Sequence, residues 1–153
     1  MAAIHDTFTL QRRYPHAREL VFAALSDPAL KARWYASPST ELELCESDFR
    51  IGGADRQRSV LGQGTPFPGA ALENEGRFED IADGERIVVS TSMTFGGRRI
   101  SSALLTFELA DAEGGCTLTF THQAVFYEGA DGPEMRREGW EKLLDALARS
   151  LAS

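Results

Sequence analysis

The sequence predicts an α+β fold, with a curved seven-stranded antiparallel sheet, two short helices after the first strand and one long helix at the end. Three observations support this. Residues 86–95, 99–109 and 116–123 read as strands joined by glycine pairs, which is typical of consecutive β-hairpins. Residues 133–151 carry an apolar stripe at helical spacing. Residues 8–34 read as one strand followed by two helices.

Local signals define the first strand and the two helices. Residues 8–14 alternate between apolar and polar positions up to a proline, which indicates a strand. Apolar residues then recur at i, i+3, i+4, i+7 and i+8 over 17–25, which predicts an amphipathic helix. Asp27 and Pro28 end it. Because proline fits the first turn of a helix and aspartate caps that turn, a second short helix is expected over 28–34.

The middle of the chain reads as extended segments separated by turns. Residues 42–51 are extended up to a glycine pair, which marks a bend or a bulge. Glycine and proline punctuate residues 62–69, which are therefore a loop. A further strand is expected over 72–81, followed by an Asp-Gly turn that leads into the hairpins.

The last helix begins at a proline and has one apolar face, formed by Trp140, Leu143, Leu144, Leu147 and Leu151. Such a face must pack against another element, and the sheet is the only predicted element that is large enough. We therefore expect the helix to cross the sheet and to leave a cavity beneath it. A cavity of some hundreds of Å³ would suit a small-molecule carrier.

Composition narrows the class of protein. The 153 residues fit a single domain over 1–153, and the formal net charge of −7 disfavours a nucleic-acid partner. The sequence lacks the ~20 consecutive apolar residues of a membrane-spanning helix, and its N-terminus lacks the apolar run of a signal peptide. With two cysteines far apart in sequence, the chain is expected to be cytoplasmic and without a disulfide framework.

Common signatures of metal, nucleotide and covalent chemistry are absent from the sequence. The three histidines, His5, His16 and His122, do not have the spacing of metal ligands on one helix. There is no C-x-x-C, P-loop, G-x-S-x-G or dinucleotide motif. We therefore expect no metal and no cofactor, and the sequence leaves open whether the protein is an enzyme.

Candidate pocket residues follow from strand parity and from the apolar stripe of the last helix. Where apolar side chains share one parity, that parity is predicted to face the helix. His122 is the polar candidate, because an imidazole suits acid–base chemistry. The ten residues expected to line the pocket are Trp34, Phe49, Phe78, Val89, Thr91, Met93, Phe120, His122, Trp140 and Leu144.

Two groups of arginines have alternative interpretations. Arg50, Arg56 and Arg58 share one parity on an extended segment. They form either an anion-attracting strip near the pocket mouth or part of a solvated sheet face. Arg136 and Arg137, in the first turns of the last helix, are interpreted as surface charge.

Six segments carry a resemblance to one family: residues 15–34, 48–53, 75–78, 85–88, 115–122 and 139–140. They resemble segments of the proteins related to the activator of the heat-shock-protein-90 ATPase, within the START-like or SRPBCC superfamily. The resemblance covers nearly the whole chain. It implies the helix-grip fold, in which a long C-terminal helix lies across a curved sheet.

The resemblance also implies a function class, because the superfamily includes lipid carriers, polyketide cyclases and co-chaperone domains. The leading hypothesis is that a small hydrophobic or amphipathic molecule binds between the sheet and the last helix. A first alternative is a cyclase- or hydrolase-type enzyme in which His122 pairs with the carboxylate of Glu75 or Asp80. A second alternative is a chaperone-associated protein-interaction module. Monomer and homodimer both remain open.

Overall fold

One antiparallel sheet and three helices make up the described part of the computed structural model, residues 2–35 and 40–152. The strands order as β1-β7-β6-β5-β4-β3-β2, and each neighbouring pair is antiparallel. The predicted helix-grip arrangement is therefore confirmed. In chain order the elements are β1 (Ile4–Tyr14), α1 (Arg18–Ser26), α2 (Pro28–Tyr35), β2 (Thr40–Ser47), β3 (Ala54–Leu61), β4 (Ala71–Ala82), β5 (Arg86–Phe95), β6 (Arg98–Ala112), β7 (Gly115–Phe126) and α3 (Pro133–Ala152).

A glycine pair makes the predicted hairpin between β5 and β6. Gly96 and Gly97 have φ angles of +57° and +83°, in the left-handed region that side chains with a Cβ disfavour. Two successive residues of this kind give the turn that matches the twist of paired strands. The long β5–β6 pairing begins directly at this turn, from Phe95 and Arg98.

The segment between β2 and β3 differs from the prediction. Phe49 and Ile51 were expected to continue a strand, but β2 ends at Ser47 and β3 begins only at Ala54. The intervening backbone folds back on itself. A Cβ added at Gly53 would lie 1.9 Å from the carbonyl oxygen of Asp48, so only glycine allows this turn.

Helix α3 lies over the β1–β7–β6 side of the sheet. Its inward residues Trp140, Leu144 and Leu147 are buried in the same core as α1 and the inner faces of these strands. Burial of three such side chains stabilises the packing of α3 by roughly 1.5–3 kcal/mol each. The apolar stripe of the sequence is therefore confirmed as the face that contacts the sheet.

Strand register places inward-facing side chains in rows that cross the sheet. Because successive residues of a strand point to opposite faces, each row contains one inward residue from each strand. Three rows matter for the cavity. The first contains Gln57, Asn74, Met93 and Ser101; the second contains Asp55, Gly76, Thr91 and Ala103; the third contains Phe78, Val89, Leu105 and His122.

The start of α2 provides a test of the helix cap. The carboxylate of Asp27 accepts a hydrogen bond of 2.9 Å from the backbone N–H of Ala29. We predict that Asp27→Ala lowers the free energy of unfolding by about 1 kcal/mol, while Asp27→Asn, which keeps a capping oxygen, loses much less. Urea denaturation measures both values. Equal losses in the two variants would show that the cap is not the stabilising contact.

Candidate functional site

The cavity lies between the inner face of strands β3–β7 and helices α2 and α3. Its volume is about 30 Å³, which is room for about two water molecules. This volume is much smaller than that expected for a small-molecule carrier, which is on the order of hundreds of Å³. The physical reason is that three rings from the helices, Trp34, Tyr35 and Trp140, project over the sheet and contact one another in pairs, with centroids 5.4 and 6.5 Å apart.

The structure brings together seven of the ten predicted pocket residues on the wall of this cavity: Trp34, Phe78, Val89, Thr91, Met93, His122 and Trp140. Trp34 is held in place because its indole N–H donates to the carbonyl oxygen of Ala24 at 2.8 Å. Val89, Thr91 and Met93 share the inward parity of β5, and Trp140 forms part of the helical roof.

The other three predicted residues do not line the cavity. The Phe49 ring packs against Phe78, with centroids 5.1 Å apart, on the side away from the cavity wall. Phe120 is fully buried beneath Trp140, with ring centroids 4.3 Å apart. Leu144 is fully buried in the core under α3. These three residues pack behind the side chains that line the cavity.

Buried polar side chains concentrate at the cavity, which the sequence did not predict. Among the described residues, eight polar or charged side chains are buried, and all except Ser59 line it. Burying a polar group is costly unless it has a partner, so this concentration distinguishes the cavity from the rest of the core. The seven are Lys31, Asp55, Gln57, Asn74, Ser101, His122 and Arg136.

A buried ion pair forms one end of the cavity. The Nζ atom of Lys31, on α2, donates to both carboxylate oxygens of Asp55, on β3, at 3.0 and 3.1 Å. The hydroxyl of Ser47 and the side-chain amide of Gln57 also donate to this carboxylate, at 2.7 and 2.9 Å. Each charge is therefore paired within the protein. The Lys31 ammonium also lies 5.6 Å from the centre of the Tyr35 ring.

A second buried ion pair forms the other end and corrects the interpretation of Arg136 as surface charge. Arg136 is 5% exposed. Its guanidinium donates two hydrogen bonds of 2.8 Å to Asp131 and one of 3.0 Å to the hydroxyl of Ser101. The side chain points inward because the first turn of α3 lies over the end of β6, whereas Arg137, one residue later, is half exposed.

His122 lies among aromatic rings beside this second pair. Its imidazole stacks on Phe8 at 4.7 Å, and Phe120 and Phe126 also contact it. Burial, together with the nearby positive charge of Arg136, lowers the pKa of His122 to about 4. The ring is therefore neutral at neutral pH. Its Nδ1 atom is buried and has no hydrogen-bond partner among the described residues.

The carboxylates proposed as partners of His122 lie elsewhere. Glu75 points to the outer face of β4 and forms an ion pair with Arg56 at 3.5 Å. Asp80 pairs with Arg86 at 2.7 Å, in an exposed position. His122 therefore has neither of these carboxylates as a partner, and the geometry does not support the acid–base pair of the enzyme hypothesis.

The arginine strip belongs to a solvated sheet face. Arg58 pairs with Glu43 at 2.9 Å and with Glu73 at 2.7 Å on the outer side of the sheet, and Arg50 lies in the turn before β3. Alternation along β3 then directs Asp55 and Gln57, the residues on either side of Arg56, into the cavity. The arginines therefore mark the outer face of β3, and the residues of opposite parity on the same strand line the cavity.

No group of three or more metal-ligating side chains lies close enough to hold a metal ion in the described part of the chain. Over the same residues, no helix has the length and apolarity needed to cross a membrane.

The fold and cavity place the protein in the helix-grip class of the START-like superfamily. The family model described as activator of Hsp90 ATPase homolog 1-like protein matches residues 15–152, so the chain belongs to that family. None of the curated proteins matches the chain.

Solved structures agree with this assignment. An uncharacterised protein from Rhizobium leguminosarum is 30% identical, with a TM-score of 0.90 over 99% of this chain and 97% of the other. A Rhizobium loti protein is 35% identical, with a TM-score of 0.82 over 98% and 99%. The AHSA1 protein of Silicibacter pomeroyi is 22% identical, with a TM-score of 0.75 over 96% and 98%, and shows the same fold.

The lowered pKa of His122 predicts a specific pH dependence. The unfolded chain takes up a proton as the pH falls below about 6.5, whereas folded His122 resists protonation until about pH 4. Unfolding is therefore favoured progressively as the pH falls through this window, by roughly 3 kcal/mol in total. Replacing the ring with phenylalanine, His122→Phe, should remove this component. Urea denaturation of both proteins at several pH values checks it; parallel stability curves would contradict it.

The Lys31–Asp55 pair makes a second prediction. Lys31→Met leaves a buried carboxylate without its cation and should lower the free energy of unfolding by about 3–5 kcal/mol. Arg58→Met removes the cation of exposed ion pairs on the outer face of the same strand, β3, and should cost a small fraction of that. Chemical denaturation compares the two. A similar loss of unfolding free energy in both variants would mean that the buried Lys31–Asp55 pair matters no more for stability than the exposed pairs of Arg58.

Proposed function

We propose that this protein binds a small amphipathic molecule in the cavity between the sheet and α3. The observation that carries the proposal is that seven of the eight buried polar side chains among the described residues line this one cavity. A core built only for stability does better with apolar side chains, because a buried ion pair costs desolvation energy that the pairing only partly returns. A few convergent polar groups in an apolar cavity are instead typical of ligand sites.

The apolar part of the cavity supports the same function. Phe78, Val89, Leu105 and Phe107 line it from the sheet, and Trp140 lines it from α3. A guest with an apolar body therefore meets apolar side chains, while its polar groups meet the ion pairs at the ends. Proteins of this superfamily generally bind hydrophobic ligands, which agrees with the proposal.

A cavity of about 30 Å³ requires that the guest opens it further, so the structure corresponds to the closed form in this proposal. Met93 can change its conformation in the cavity wall, because its unbranched thioether side chain adapts to irregular spaces. The roof supplies another: Tyr35 and Trp140 come from different helices and contact each other edge to face at 6.5 Å. Separation of these two rings would enlarge the cavity without unfolding the sheet. Binding then selects the open form.

Exposed apolar side chains do not favour a protein-interaction module. The large ones are distributed over separate parts of the described chain, and no single helix or strand contributes two of them: Ile4, Leu20, Ile51, Phe67, Tyr127 and Met135. A docking face is expected to be a contiguous apolar patch, and no single element of the described chain supplies one.

A variant that fills the cavity tests the proposed function. Ala103 lines the cavity from β6, whereas Ala110 on the same strand is exposed on the other face. Thermal-shift screening of fatty acids, flavonoids and polyketide-like aromatics should identify a ligand, since a ligand at 100 times its Kd stabilises the fold by about 2.7 kcal/mol. Ala103→Leu should abolish most of that shift by occupying the space.

The matched control is Ala110→Leu, which adds the same side chain away from the cavity and should leave the shift unchanged. An equal loss of the shift in both variants would place binding outside the cavity, and the absence of any shift across the three compound classes would contradict the proposed function.

A further inference from the structure

The charges that face the cavity are balanced within the protein. At one end the Lys31 ammonium is paired with Asp55, and at the other the Arg136 guanidinium is paired with Asp131. Both pairs are bidentate or nearly so, at 2.8–3.1 Å. An anionic guest would find no unpaired cation there, and a cationic guest would find no unpaired carboxylate. Either guest would enter a poorly solvated space without compensation, which is unfavourable.

The remaining titratable groups at the cavity are uncharged at neutral pH. Burial, together with the nearby carboxylate of Asp55, raises the pKa of the Tyr35 phenol, which therefore stays protonated. Burial also raises the pKa of the Cys45 thiol, which lies outside the cavity wall but close to the Lys31–Asp55 pair. His122 is neutral for the reasons given above. The site as a whole thus offers hydrogen-bonding groups without net charge.

One of these groups, the imidazole of His122, has a ring nitrogen that needs a hydrogen-bond partner. The Nδ1 atom of His122 is buried and lacks a hydrogen-bond partner among the described residues, although the residue lines the cavity. A neutral imidazole has one donor and one acceptor nitrogen. A hydroxyl group can both donate and accept, so it would satisfy Nδ1 in either tautomer. Carboxylates lack the donor, and hydrocarbons lack both.

The rows of the sheet give the inner wall of the cavity an elongated shape. Beyond Asp55, the middle row has small side chains or none, at Gly76, Thr91 and Ala103. The row on one side is mainly polar and that on the other mainly apolar, as described above. Four strand spacings separate Asp55 on β3 from His122 on β7, which is about 19 Å between the strand backbones. A trough of this form suits a narrow, flat molecule that lies across the strands.

We propose that the guest is an uncharged, elongated molecule with a hydroxyl group at each end, one of which forms a hydrogen bond with Nδ1 of His122. The opposite hydroxyl lies near the Lys31–Asp55 pair, and the apolar middle of the molecule lies between Trp140 and the small residues of the middle row. This inference rests on the proposed function and adds the chemical class of the ligand.

Three probes of the same rod-like shape test this class: biphenyl, para,para′-biphenol and para,para′-biphenyl dicarboxylate. Tryptophan fluorescence titration or calorimetry on the full chain gives the Kd of each, since Trp34 and Trp140 line the cavity. We expect the diol to bind at least about tenfold more tightly than the dicarboxylate and than biphenyl, because only the diol pairs with His122 without adding charge.

His122→Phe supplies the matched variant, because it keeps a ring that packs against Phe8 and removes the nitrogen. The affinity for the diol should fall at least about tenfold, and that for biphenyl should change by less than about twofold. Circular dichroism and retained biphenyl binding check that the variant is folded. If the variant does not fold, the comparison of the three probes on the natural chain still decides the matter.

The outcomes separate the two proposals. If the dicarboxylate binds as tightly as the diol, or if His122→Phe leaves the affinity for the diol unchanged, the ligand class is wrong while binding in the cavity stands. If none of the three probes binds and the wider screen also gives no shift, the proposed function fails and this inference fails with it.

Discussion

Trp140 packs against Phe120 with ring centroids 4.3 Å apart and against Phe107 at 6.0 Å, and this aromatic contact sets the height of α3 above the sheet. One turn earlier, the buried Arg136 ties the start of the helix to Ser101 on β6. The helix is therefore held at two points, one apolar and one charged. Between these points and α2 the helix side chains leave only a small space above the sheet, and that space is the cavity. Its position, its narrowness and its two polar ends all depend on these attachments.

Electrostatics and packing act together at this site. In a medium of low dielectric constant, an unpaired charge is expensive and a paired one is held strongly. The Lys31–Asp55 pair joins α2 to β3. The Arg136–Asp131 pair joins the first turn of α3 to the loop that precedes it. The same pairing removes the charge that an ionic ligand would need. A single arrangement thus fixes the positions of α2 and of the start of α3 and restricts what the cavity can bind.

The alternation of side chains along a strand explains which cavity residues could be predicted from the sequence and which could not. Alternation correctly assigned Val89, Thr91 and Met93 to the cavity side of β5, because one register on a sheet with a buried face decides every residue of the strand. On β3 the same rule places Asp55 and Gln57, on either side of Arg56, on the inner face, whereas the prediction concerned only the arginines. Apolar residues normally mark the inward parity of a strand. Here it is polar, and only the alternation opposite Arg56 and Arg58 signalled it.

The order of strands and helices, the hairpin turns and the family resemblance were all readable from local signals, because periodicity, glycine pairs and proline act over a few residues. The burial of Arg136 was not readable, since its neighbour Arg137 is chemically identical and remains half exposed. Nor was the cavity volume, because it depends on how three rings from two helices meet over the sheet. Contacts between segments distant in the chain decide these features. Local sequence therefore specified the elements, and their packing specified the site.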